Sequence, residues 1–177
     1  MTAAHAQLGL MSLDQWRALP EEPEYRVELQ EGVRIVSPRP TKARARAVFR
    51  LCAQVDEALP TGWEALPEVE VVIDPATPAT VRVPDIVVCR SDAPEPLVAA
   101  DVAIAIEIVS PGSRRTDHVT KRSEYADAGI AHYWIVDLGR PTTLTPLTLT
   151  DHGYSGVPVT GHHTSTTPFP LTISLTF

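Results

Sequence analysis

Apolar residues recur along this chain with two periods, near four in some stretches and near two in others, with Gly and Pro between the stretches. From Thr41 to Leu59 there is neither Gly nor Pro. Ala47, Phe49, Leu51, Val55 and Leu59 include i, i+4 and i+8 spacings, which predicts a helix of about four to five turns. A second such run, Arg114–Ala128, stops at Gly129, a suitable residue just past a helix end. A short helix follows the N-cap Ser12 and is closed by Pro20. Loose alternation over Tyr25–Ser37, with a turn at Glu31-Gly32 and Pro38 and Pro40 beyond it, predicts a hairpin. Strands are expected at 69–73, 81–89, 102–109 and 132–137. Segment 102–109 is apolar on both faces, which marks it as central and buried. Val102, Ile104, Ile106 and Ile108 form one expected face, and Ala103, Ala105, Glu107 and Val109 the other. From Leu138 onward the chain carries eleven threonines and only Arg140 and Asp151 as charges. The alternation in Leu144–Leu149 and Leu171–Phe177 reads as edge strands. The expected fold class is α/β, with a central mixed or mostly antiparallel sheet flanked by helices 42–59 and 114–128.

A length of 177 residues with 44% hydrophobic content is read as one domain spanning 1–177. The net charge of -7 gives no overall attraction to a polyanion, so nucleic-acid binding would need local basic patches or a bridging metal. Lys42, Arg44, Arg46 and Arg50 at the start of the 42–59 helix are the densest positive charge, and the plainer reading is a solvated helix face. Cys52 and Cys89 sit in apolar contexts without metal-ligand spacing, which leaves no disulfide framework or zinc site. No apolar run reaches the ~18 to 20 residues of a membrane span, and the N-terminus lacks the order of a signal peptide, so a cytoplasmic location is expected. His132 and the adjacent His162 and His163 are read as structural.

Asp85 and Glu107 are each eleven residues from Pro96, so an antiparallel pair turning there brings them opposite one another. Partners in such a pair lie ~4.5 to 5.5 Å apart at Cα. Two carboxylates that close repel unless a cation or a proton intervenes. A divalent metal held by Asp85, Glu107 and a backbone carbonyl would resolve this, with Mg²⁺ favoured by hard oxygen ligands. A salt bridge to an arginine resolves it equally well, and both readings stay open at this point. On the second helix Asp117, Lys121 and Tyr125 fall at i, i+4 and i+8, with Arg114 and His118 flanking the stripe. Lys121 is one of two lysines against thirteen arginines, and an ammonium can approach a phosphate as a point charge.

In order along the chain stand Tyr25-x-x-Glu28-Leu29-x-x-Gly32, Val83-Pro84-Asp85-Ile86-Val87-Val88, Glu107-Ile108-Val109-Ser110-Pro111-x-Ser113, Asp117-x-x-x-Lys121-x-x-x-Tyr125-x-x-x-Gly129 and Tyr133-Trp134-Ile135-Val136-Asp137. This ordered set resembles the Uma-type restriction endonuclease family, a branch of the PD-(D/E)XK nuclease superfamily with the restriction-endonuclease-like fold, over roughly residues 12 to 140. The resemblance implies a catalytic set of Asp85, Glu107 and Lys121, with Asp85 and Glu107 as metal ligands and Glu28 as a further acid near the metal. Asp117 and Tyr125 are expected as supporting residues. The lysine usual two positions after the second acid is absent, since Val109 stands there, and Lys121 matches the position of a migrated replacement. Arg44 stands where such sequences often carry histidine. The implied function is Mg²⁺- or Mn²⁺-dependent hydrolysis of nucleic acid, DNA first, with no membrane partner and a homodimer admitted. A catalytically degenerate relative acting as a DNA-associated or protein-interaction module is the alternative, for which the acidic net charge and the missing Glu-x-Lys lysine speak. A two-carboxylate glycosidase fits the paired acids but leaves Lys121 unused.

Overall fold

The computed structural model describes residues 9–20, 25–109 and 115–177. Ser110 to Arg114, which the motifs and the helix stripe invoke, lie outside them. The elements run α1 (Leu13–Arg17), β1 (Arg26–Gln30), β2 (Val33–Ser37), α2 (Lys42–Ala58), β3 (Trp63–Pro67), β4 (Val71–Asp74), β5 (Thr80–Arg82), β6 (Ile86–Arg90), β7 (Leu97–Val98) and β8 (Val102–Val109). A π-helical turn at Thr116–Thr120 then leads into α3 (Lys121–Asp127), β9 (His132–Asp137), β10 (Thr143–Thr150), β11 (Gly153–Ser155), β12 (Val159–Thr160), β13 (His162–Ser165) and β14 (Leu171–Ser174).

Among the described residues, the larger sheet has the order β11-β10-β9-β8-β6-β3, with β12 also pairing with β10. Its β8–β9 pair is parallel and its other pairs are antiparallel, so the sheet is mixed. The fold is therefore mixed α/β. Strand β8 is central, as its two apolar faces require. Ile104, Ile106 and Ile108 pack under α2 with Ala47, Leu51 and Val55, while Ala105 and Val109 face Tyr125 of α3 and Tyr133. Near Val102 the register slips between Val88 and Cys89, and the extra residue moves Val102 to the α3 side and Ala103 to the α2 side. The face assignment from strict alternation therefore fails at the first two residues of β8.

The expected single strand 81–89 is two strands in different sheets. β5 joins a second sheet, β2-β1-β5-β4-β7, and β6 joins the larger one. Pro84 sits between them, and with no N–H it cannot continue a hydrogen-bond ladder. The break sets the hairpin β1–β2 beside the end of β6, with Leu29 paired to Val81. Strand β3 was not expected, and β10 is an inner strand rather than an edge, because β9 flanks it on one side and β11 and β12 on the other. Phe49 lies off the buried stripe of α2 and is 75% exposed, whereas Ala47, Leu51 and Val55 are fully buried. Gly129 has φ +79°, the left-handed conformation that ends α3. Among the described residues no helix is long and apolar enough to cross a membrane.

Candidate active site

Strand periodicity aims the side chains of Arg26, Glu28 and Gln30 to one side of β1, while Leu29 enters the core on the other. β5 contributes Arg82 beside them. Asp85 lies one residue before β6, and the Ile86–Ile106 pairing places it opposite Glu107. From the far side, the π-helical turn and α3 bring Asp117, Lys121 and Tyr125. Glu28, Arg82, Asp85, Glu107, Asp117 and Lys121 are all buried.

The acids converge on cations. Asp85 accepts hydrogen bonds from Arg26 Nη1 at 2.6 Å, from Arg44 Nη2 at 2.8 and 2.9 Å on its two oxygens, and from the Ile108 N–H at 2.7 Å. Arg26 Nη2 also donates to the Val83 carbonyl and to Glu28 Oε1 at 3.3 Å, and it lies 3.6 Å from Glu107 Oε2. One guanidinium thus stands between Asp85 and Glu107. Lys121 Nζ donates to Glu107 Oε1 at 2.7 Å and to Glu28 Oε1 at 3.0 Å, and lies 4.0 Å from Asp117 Oδ1. Tyr125 Oη donates to Glu107 Oε1 at 3.2 Å. Glu28 is also held by Arg82 Nη1 at 3.2 Å and the Val83 N–H at 3.0 Å. Arg82 in turn donates to Gln30 Oε1 at 2.9 Å and to Glu124 at 2.6 and 2.7 Å.

These contacts revise two sequence expectations. The solvated-face reading holds for Lys42, Arg46 and Arg50, which are exposed, but not for Arg44. The N-cap Thr41 accepts the Arg44 N–H, and the side chain one turn into α2 reaches Asp85. Of the metal and arginine readings of the acid pair, the contacts show the arginine one, with Arg26 and Arg44 on Asp85 and Arg26 beside Glu107. Arg26, Arg82 and Glu124 were missed altogether. Arg26 had a signal, because it precedes Glu28 by two residues on a strand and so shares its face. His132 Nδ1 is hydrogen-bonded to Thr148 Oγ1 at 3.3 Å, and His163 packs edge-on to Trp134, which fits their structural reading.

The electrostatics separate the two glutamates. Burial alone would raise the Glu28 carboxyl, but Lys121, Arg26, Arg82 and the Val83 N–H outweigh it and bring its pKa down to about 2. Burial raises Glu107 to about 7, with Asp85 and Asp117 adding to the rise and Lys121 and Arg26 opposing it. Lys121 is raised despite burial, chiefly by Glu107 and Glu28, so it keeps its proton.

Whether a divalent metal suits this site can be judged from the donors. Glu107 Oε2 is buried without a hydrogen-bond partner, and it faces the same guanidinium as Asp85, so a positive charge already lies where both carboxylates point. Both are hard oxygen donors, which suit Mg²⁺ or Mn²⁺. Glu107 Oε2 is open to such an ion, whereas both oxygens of Asp85 are taken by Arg26, Arg44 and the Ile108 N–H, so an ion held by the pair would have to displace the guanidiniums. Glu28, with its oxygens engaged by Lys121, Arg26, Arg82 and Val83, is placed to hold the lysine. Among the described residues no three His, Cys, Asp or Glu side chains form a metal cluster, so protein ligation would rest on the two acids and the backbone.

The sequence matches the family described as "Uma2: Putative restriction endonuclease" over residues 13–177. No curated protein matches it. A solved structure described as "a putative nuclease belonging to DUF820", from Anabaena variabilis ATCC 29413, superposes with a TM-score of 0.70 at 19% identity, covering 93% of this chain and 95% of that one. That likeness establishes a shared fold. The family match also takes in the threonine-rich strands beyond residue 140, which the motif resemblance left out. From α1 through β14, the chain belongs to the Uma2 family of restriction-endonuclease type.

Proposed function

We propose that this protein is a nuclease that hydrolyses phosphodiester bonds in nucleic acid with a divalent cation held by Asp85 and Glu107. The observation that carries the reading is the reach of Lys121 Nζ across the fold to within 2.7 Å of Glu107, on the acid that Asp85 faces. The bound cation would supply a Lewis acid for the phosphate oxygens and lower the pKa of an attacking water.

The chain's own groups do the rest. Lys121 stays protonated and presents positive charge where the phosphate gains negative charge in the transition state. Glu28 and Tyr125 fix the geometry, one holding the ammonium and the other the Glu107 carboxylate. Glu107, with a pKa near 7, can release its proton close to neutral pH and become an anionic ligand. Arg26 and Arg44 present guanidinium forks at Asp85, and such forks match phosphate as well as carboxylate. They neutralise the acids before substrate arrives and can then turn to the phosphodiester.

The direct test is cleavage of labelled DNA and RNA oligonucleotides with Mg²⁺ or Mn²⁺. Cleavage should need the cation and disappear in Asp85→Asn. Cleavage that survives chelation would remove the reading, and folded protein inactive on every oligonucleotide would favour a catalytically degenerate relative.

A further inference from the structure

Asp85 is held by two guanidiniums, and the two are anchored very differently. Arg26 is tied in place, since besides Asp85 it donates to the Val83 carbonyl and to Glu28, and its Nε is buried. Among the described residues, the Arg44 side chain has Asp85 as its single partner. It reaches both carboxylate oxygens with Nη2 alone, at 2.8 and 2.9 Å. Its Nε and Nη1 make no hydrogen bond and, unlike Arg26 Nε, are not buried away from solvent. With 18% of its side chain exposed, Arg44 can leave Asp85 without breaking any other side-chain contact. Arg26 cannot.

Each carboxylate oxygen offers two lone pairs. Asp85 Oδ1 accepts from Arg26 and Arg44, and Oδ2 accepts from Arg44 and the Ile108 N–H, so the acid is fully engaged. Departure of Arg44 alone returns one lone pair to each oxygen, while Arg26 and Ile108 still hold the carboxylate in position. Glu107 Oε2, on the acid opposite, already lacks a hydrogen-bond partner. Moving one side chain therefore gives both acids an oxygen to offer a cation. What can draw a guanidinium from a carboxylate is another anion that matches its fork, and phosphate does so. The donors that Arg44 leaves toward solvent, Nε and Nη1, are the ones such an anion meets first.

We infer that Arg44 couples substrate to cation: a phosphodiester takes its guanidinium from Asp85, and the released carboxylate, with Glu107, then holds the divalent ion. Arg44 is thus a phosphate-binding and positioning residue, and Arg26 is a fixed counter-ion. The inference deepens the nuclease reading and rests on it for the identity of the two ligands, but both can be followed by binding without cleavage. Linkage makes the effect reciprocal, so diester and cation each raise the affinity for the other by the same factor.

The experiment is calorimetric titration with Mn²⁺ at fixed pH in increasing sodium dimethyl phosphate, with sodium chloride at matched ionic strength as the control. Wild-type affinity for Mn²⁺ should rise with the diester, toward roughly 5- to 150-fold at saturation, the usual range for two coupled sites. Arg44→Ala should bind Mn²⁺ more tightly than wild type without the diester, by a factor in the same range, and should not respond to the diester. Arg46→Ala removes an exposed charge from the same helix and should behave as wild type, which separates the loss of this contact from a general loss of positive charge. The inference is overturned by a wild type indifferent to the diester, by an Arg44→Ala that still responds to it or binds Mn²⁺ no more tightly, or by an Arg46→Ala that matches Arg44→Ala. If circular dichroism shows Arg44→Ala unfolded, the wild-type series decides alone. Glu107→Gln tells the two failures apart. Mn²⁺ binding lost in that variant, with a wild type indifferent to the diester, sinks the coupling and leaves the acid pair standing. Equal Mn²⁺ binding in Glu107→Gln and wild type sinks both.

Discussion

Lys121→Ala lowers the rate of oligonucleotide cleavage by roughly a hundredfold or more. Loss of one preorganised donor to developing negative charge typically costs ~2.7 to 4 kcal/mol of transition-state stabilisation. At about 1.4 kcal/mol per decade this is two to three decades in rate. The ammonium is buried against two glutamates, so the variant also loses stability, and turnover is to be measured at a temperature where circular dichroism shows it folded. Mn²⁺ affinity should stay the same or rise slightly, because a nearby positive charge is lost. A folded Lys121→Ala that cleaves at the wild-type rate removes the lysine from the chemistry and leaves it as a counter-ion to Glu28 and Glu107.

Arg82→Met has the opposite signature, a large loss of stability with little effect on metal affinity. Arg82 is fully buried, and it bridges Glu28 of β1 to Glu124 of α3. Breaking a buried pair by removing one partner costs about 3 to 5 kcal/mol, because the other charge stays buried without its counter-ion. For a chain of this length that lowers Tm by roughly 6 to 20 °C, which calorimetry reads directly. A shift below about 2 °C would mean that the bridge contributes no more than a surface pair.

Asp85 and Glu107 could be placed opposite one another because β6, which Asp85 directly precedes, and β8, which carries Glu107, are strongly apolar and pair antiparallel, and equal steps from Pro96 give the observed partner despite the slip at Val88 and Cys89. Lys121 stood out by scarcity and by helical spacing. The arginines were hidden for a topological reason. Arg26 and Arg82 reach the acids only because the chain leaves one sheet and enters another at Pro84, and the run 81–89 read by alternation alone conceals that break. Proline within an apolar run was the available signal. Arg44 was hidden by its neighbours, since Lys42, Arg46 and Arg50 on the same helix do face solvent, and no pattern of charge separates one arginine from the others. The inner position of β10 depends on β11 and β12, which are three and two residues long and too short for periodicity to register.

The central claim is that Asp85 and Glu107 hold a divalent cation, and calorimetric titration with Mn²⁺ tests it most directly. Wild-type protein should bind the ion more tightly as pH rises through about 7, where the Glu107 carboxyl gives up the proton that competes with the metal. Below that pH the affinity should fall, approaching about tenfold per pH unit for one displaced proton. Glu107→Gln, which cannot become anionic, should show no binding at any pH in this range. Equal Mn²⁺ affinity in wild type and Glu107→Gln would contradict the account.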